Sequence, residues 1–68
     1  MWVLDFFRKK DIISFLTTYN ERMLRKTNYY NKYYNEDKTV NKEVINSLSI
    51  SELDELYNII QNEKTYIN

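Results

Sequence analysis

DIISFLTTYNERMLRKTNYYNKYYN, the stretch from Asp11 to Asn35, decides the fold. Written as a heptad, it places Leu16, Met23 and Tyr30 at one core position. Ile12, Tyr19, Lys26 and Tyr33 fall at the other, and the alternation of four and three residues marks one face of a helix. Ile13 and Tyr34 flank this seam on one side, Phe15 and Tyr29 on the other, so both Tyr-Tyr pairs share one arc. Asn28, Asn31, Lys32 and Asn35 fall opposite or at the margin. A helix of about 25 residues spans about 37 Å, longer than a domain of this size is wide. Such a helix must project from the fold or lie against a second chain.

Downstream, the polar run Asn35-Glu36-Asp37-Lys38 ends the periodicity and reads as a loop. Thr39 is placed to N-cap a short helix with Val40, Val44, Ile45 and Leu48 on one face. Ser49 and Glu52 then form an S-x-x-E capping box, with Leu48 and Leu53 at the positions of a hydrophobic staple. The helix it opens is predicted to bury Ile50, Leu53, Leu56 or Tyr57, Ile60 and Ile67. Glu52, Asp54 and Glu55 crowd its first turn, where the positive helix end stabilises carboxylates, so no metal or catalytic role is needed to explain them. The expected fold is a small all-α helical domain over 1–68. It has one long N-terminal amphipathic helix, about 5–34, and a C-terminal helical hairpin, about 40–48 and 50–64, completed by oligomerisation.

Composition narrows the chemistry. A 68-residue chain forms one domain and hides only about 60% of the surface its unfolded form exposes. With no cysteine and no histidine, it lacks disulfides, thiolate metal sites and the commonest general base, so neither metal nor cofactor is expected. The lack of cysteine fits a cytoplasmic protein. Glycine, proline and alanine are absent too, while Asn, Lys, Ile and Tyr abound, as AT-rich codon usage produces in low-GC bacteria and their phages and plasmids. Without glycine, tight primed hairpin turns are disfavoured. A small domain without such reinforcement often completes its core by pairing, so a homo-oligomer is expected.

Charge is zero overall but uneven. Residues 1–34 carry seven basic and three acidic side chains, residues 35–68 the reverse. The acidic half can fold back on the basic half, or the basic helix can face an acidic partner. The opening MWVLDFFRKK has its cations after the apolar run, the wrong order for secretion, and nothing approaches a membrane span. Trp2, Phe6 and Phe7 beside Arg8, Lys9 and Lys10 have the ingredients of an interfacial membrane anchor; capping the core is the simpler use of these rings. The helix pair meeting at Ser49 fails as a helix-turn-helix, because its second helix is acidic. Nucleic acid, if bound, would meet Arg22, Arg25, Lys26 and Lys32 on the long helix.

Leu53-Asp54-Glu55-Leu56, preceded by Glu52, is similar to the Glu-Leu-Asp stretch of the small Spo0E-like aspartyl-phosphate phosphatases, which are also short helical hairpins. The likeness covers about five residues, and Ile50-Ser51 stands where that family has Ser-Gln. It implies phosphatase activity with Asp54 as the residue of interest. The residues themselves argue against catalysis: serines lack a histidine base, and glycine-rich phosphate loops are impossible. The expectation is a non-enzymatic, self-associating protein-interaction module that binds a partner protein, with inhibition of that partner as its expected effect. Its contact surface is expected at Tyr29, Tyr30, Tyr33 and Tyr34 with Arg22, Arg25 and Lys26, since Tyr and Arg dominate interface hot spots. The competing reading packs Tyr30 and Tyr33 on the C-terminal helix as core.

Overall fold

In the computed structural model, residues 2–26 and 28–67 are described, with the side chains of Trp2 and Val3 excepted. The chain is all-α: α1 (Trp2–Thr18), α2 (Asn20–Lys26), a 3₁₀ helix (Asn28–Tyr33), α3 (Lys42–Asn46) and α4 (Ile50–Ile67). The single helix expected over 5–34 is therefore three pieces. Local chemistry accounts for the breaks. The first break is a bend: the Thr17 hydroxyl donates back to the Ile13 carbonyl at 2.7 Å, a bond that often bends helices, while Tyr19 N–H still donates to the Phe15 carbonyl and its own carbonyl accepts from Met23 N–H. Three residues past Thr17, the Asn20 side-chain oxygen takes the backbone N–H of Glu21 at 2.8 Å and starts α2. Past Lys26 come Asn28, Tyr29, Tyr30 and Asn31, all weak helix formers, and the chain tightens into the 3₁₀ form.

That tightening decides where the rings go. In a 3₁₀ helix residues three apart eclipse, so Tyr30 and Tyr33 point the same way, and both are buried. The core is built from Ile12, Phe15, Leu16, Met23, Tyr30, Tyr33, Tyr34, Ile45, Leu53, Leu56 and Ile60. Most of the seam read from the heptad is thus inside, but α4 covers it within one chain.

The loop after the 3₁₀ helix folds into a small hairpin-like turn. Tyr34 and Val40 form an antiparallel bridge, and Asn35 N–H donates to the Thr39 carbonyl at 2.7 Å. In a chain without glycine, the left-handed position falls to Lys38, at φ 72°. Using Val40 in the bridge also moves the next cap. Asn41, not Thr39, caps α3 by accepting the Val44 N–H, and Thr39 is held by Asp37 instead. So α3 is shorter than the expected 40–48.

At α4 the capping box forms in both directions: Ser49 N–H donates to Glu52 at 3.0 Å, and Glu52 N–H to the Ser49 hydroxyl at 3.2 Å. The helix runs on to Ile67 instead of ending near 64, and Ile50, expected inside, is exposed. Contacts between α1 and α4 advance in the same sense along both: Arg8 with Asp54, Asp11 with Gln61 and Lys64, Phe15 with Lys64. The two helices therefore run parallel and start at the same pole of the molecule.

Candidate interaction surface

The tyrosine cluster is mostly core. Tyr30, Tyr33 and Tyr34 are 2%, 3% and 8% exposed, and only Tyr29 reaches the surface. Each buried phenol is also occupied. Tyr34 Oη donates to the Leu16 carbonyl at 2.7 Å, satisfying an acceptor near the end of α1. Tyr30 Oη donates to Glu63 at 3.2 Å, and Lys26 Nζ closes on the other oxygen of the same carboxylate. Burial pushes the Tyr34 phenol up to about 12, and it raises Tyr30 further, helped by the adjacent Glu63 charge. Tyr33 and Tyr29 are raised too, first by partial loss of solvent. Tyr29 meets Tyr30 edge to face at 5.1 Å, and Lys32 lies over the rings of Tyr29 and Tyr33.

The expected patch of four tyrosines with three cations is accordingly dispersed. Arg22 and Arg25 stay on the surface, Arg25 within 4.0 Å of Glu21, while Lys26 is spent on Glu63. Two cations of the basic strip suggested for nucleic acid, Lys26 and Lys32, thereby contact groups of their own chain while staying exposed. Asp54, singled out by the phosphatase-like stretch, is ion-paired with Arg8 at 2.7 Å, and Arg8 also lies over the Tyr57 ring. Among the described residues, no group of three His, Cys, Asp or Glu is close enough to hold a metal ion.

Sequence reasoning missed the Glu63 site, although a signal existed. Glu63 continues the Leu53, Leu56, Ile60 spacing onto the core face of α4, and Lys26 occupies a core position of its own heptad. Two opposite charges at core positions are each other's obvious partners.

A different surface stands out. Leu4, Phe6, Phe7 and Ile50 are 50%, 59%, 58% and 70% exposed, four of the six large apolar side chains left outside among the described residues. Leu4 stands four residues ahead of Arg8, and Ile50 four ahead of Asp54. The Arg8–Asp54 bridge sets the register of the parallel helices, so both emerge one turn beyond it, at the pole where α1 and α4 begin. Phe6 and Phe7, in the first two turns of α1, pack edge to face at 5.7 Å. Phe6 also lines an open groove between α1 and α3 with Lys9, Lys10, Ile13 and Lys42. Lys9 donates to the Asn46 carbonyl; among the described residues, Lys9, Lys10 and Lys42 form no ion pair. Trp2, expected to join Phe6 and Phe7, has its side chain outside the described residues.

Compared with family models, curated proteins and solved structures, the chain shows no significant match.

Proposed function

We propose that this protein is a non-catalytic binding module that attaches to another macromolecular surface through the pole formed by the starts of α1 and α4. The observation that carries the reading is the concentration of Leu4, Phe6, Phe7 and Ile50 at one end of a molecule that fills its core from a single chain. Exposed apolar residues scattered singly need no explanation, whereas several gathered at one end of a small molecule are a mark of a contact surface. The reading keeps the expectation of an interaction protein, and of an inhibitor carried by a phage or mobile element of a low-GC bacterium. It moves the contact away from the tyrosines, whose rings the fold itself uses. A cytoplasmic site of action is part of the same proposal.

Photo-cross-linking tests it. A benzophenone amino acid replacing Phe7, in the source cell, is expected to give discrete adducts. The same probe at Asn62, exposed farther along α4, is expected to give none. No adduct at position 7, or equal adducts at both, overturns the reading.

A further inference from the structure

The turn over residues 35–39 joins two parts of the chain that hold each other up. Behind it, α3 packs on α1 and the 3₁₀ helix, and α4 packs on α1. The core is shared in the same way: Ile12, Leu16 and Met23 come from the first part, Leu53, Leu56 and Ile60 from the second. The polar contacts cross over too, through Arg8–Asp54, Lys64–Asp11 and the Tyr30 and Lys26 bonds to Glu63. None of these contacts depends on which chain supplies the second part. Only the turn is obliged to close within one chain. There, alone among the described residues, a residue with a Cβ sits in the left-handed region, Lys38 at φ 72°. A short connection under strain between two such parts is the circumstance in which identical elements are exchanged between copies.

The pairing across the turn has the symmetry that exchange needs. Tyr34 bridges Val40, Asn35 N–H donates to the Thr39 carbonyl and Asn41 N–H to the Tyr33 carbonyl, so every pair is centred on Asp37. If the turn straightens in two copies set antiparallel about a twofold axis at Asp37, each pair is recovered with the residue of the other chain. We infer that the protein exchanges residues 40–67 with a second copy of itself, forming a twofold dimer whose 33–41 segments run as an antiparallel ribbon. Glu36 of one copy then falls opposite Lys38 of the other, an attractive pair made twice, and Asp37 opposite Asp37, a repulsive one made once. Opening gives up the bonds of Lys38 N–H to Asn35, Thr39 to Asp37 and Asn20 to Lys38. Residues 35–39 are all exposed, so their freed groups turn to water at little net cost.

Magnitudes set where exchange competes with closure. A short connection gives the two parts of one chain an effective concentration of about 1 mM for each other. Relaxing Lys38 favours the open form roughly fivefold for each turn, about 25-fold for the pair. Exchange is therefore expected at concentrations on the order of 0.1 mM, while at low micromolar concentration the chain closes on itself. The dimer reassembles the same core and the same pole of α1 and α4, so it stands independently of what that pole binds.

The test uses the full chain. Equal amounts of isotope-labelled and unlabelled protein are unfolded together in urea and refolded at about 1 mM, where exchange should outrun closure. Light scattering is expected to show a dimer, and isotope-filtered NOE spectra to show contacts between α1 of one chain and α4 of the other. Lys38→Gly lets the turn close without strain and should raise the midpoint of dimerisation about 25-fold. Asp37→Asn removes the like charges at the axis and should lower it. A monomer throughout overturns the exchange, as does a dimer whose α1–α4 contacts stay within each chain, which would be a surface dimer. Lys38→Gly dimerising as readily as the parent, or Asp37→Asn dimerising less readily, overturns it as well.

Discussion

Tyr34 shows how a side chain suited to an interface is used up by the fold. Its hydroxyl reaches the Leu16 carbonyl from 18 residues away and ties the Tyr34–Val40 bridge to the end of α1. Tyr34→Phe leaves that carbonyl without its partner and is expected to cost about 1–2 kcal/mol, read as a lower midpoint in urea. The same phenol makes the fold sensitive to alkali. The unfolded chain releases the proton near 10, whereas the folded one holds it to about 12. Above pH 10 the unfolded state binds fewer protons, so stability falls as pH rises towards 12. Tyr34→Phe should shallow that slope in a series of denaturant titrations. Lys38 carries the opposite opportunity. A non-glycine residue at φ 72° costs about 1 kcal/mol, so Lys38→Gly should raise the melting temperature by about 4–8 °C. The gain is expected because the turn uses only the Lys38 backbone, whose carbonyl accepts from Asn20 and whose N–H donates to the Asn35 carbonyl, and glycine keeps both. Nothing in the sequence marked Lys38, since without glycine the left-handed position has no signature residue.

At the scale of elements, the start of α4 was fully legible and the interior of the first helical stretch was not. Ser49 and Glu52 lie three apart and bond reciprocally, a local motif that needs no tertiary partner. Ser49→Ala is expected to cost about 1 kcal/mol in thermal melts. The bonds from Ser49 hold the Glu52 carboxyl below its usual range, so their stabilisation is present at neutral pH and fades as acid protonates Glu52. Glu52→Gln should flatten that acid-side fall in a pH series of melts. In the first stretch, the spacing of Tyr30, Tyr33 and Tyr34 satisfies a 3.6-residue period and a 3.0-residue one almost equally over so few residues. Periodicity therefore placed Ile12, Leu16, Met23, Tyr30 and Tyr33 inside correctly, but Tyr19 is only half-buried, Lys26 is exposed, and the helix type differs over 28–33. The deciding terms were the side-chain bonds of Thr17 and Asn20 and the weak helix preference of the Asn and Tyr residues.

For the whole molecule, the two breaks change the outcome. An unbroken helix of about 37 Å would have left its seam for another chain. The folded chain measures 33 × 27 × 17 Å with a radius of gyration of 11.4 Å, near the ~11 Å of a compact domain this long. Because α4 covers the seam, the core no longer calls for a second copy, and the closed fold would have to self-associate through other surface. Light scattering across a low-micromolar concentration series in buffer is expected to return the 8.4 kDa of one chain. A dimer persisting at low micromolar concentration would contradict that. The acidic half does fold back on the basic half, through Arg8–Asp54 and Lys26–Glu63, while Lys64–Asp11 joins the halves with the charges reversed.

By itself the sequence determined the helical class, the cap of α4 and most of the residues that go inside, because these depend on neighbours within a turn or two. Tertiary structure alone decided which apolar residues stay outside. Ile50 stands roughly 90° round α4 from the centre of the Leu53, Leu56 and Ile60 face, at its margin and one turn beyond the Arg8–Asp54 contact, and nothing arrives there to bury it. Burial is a property of what arrives opposite a side chain, and the chain's order of residues does not state how far each helix overhangs its neighbour.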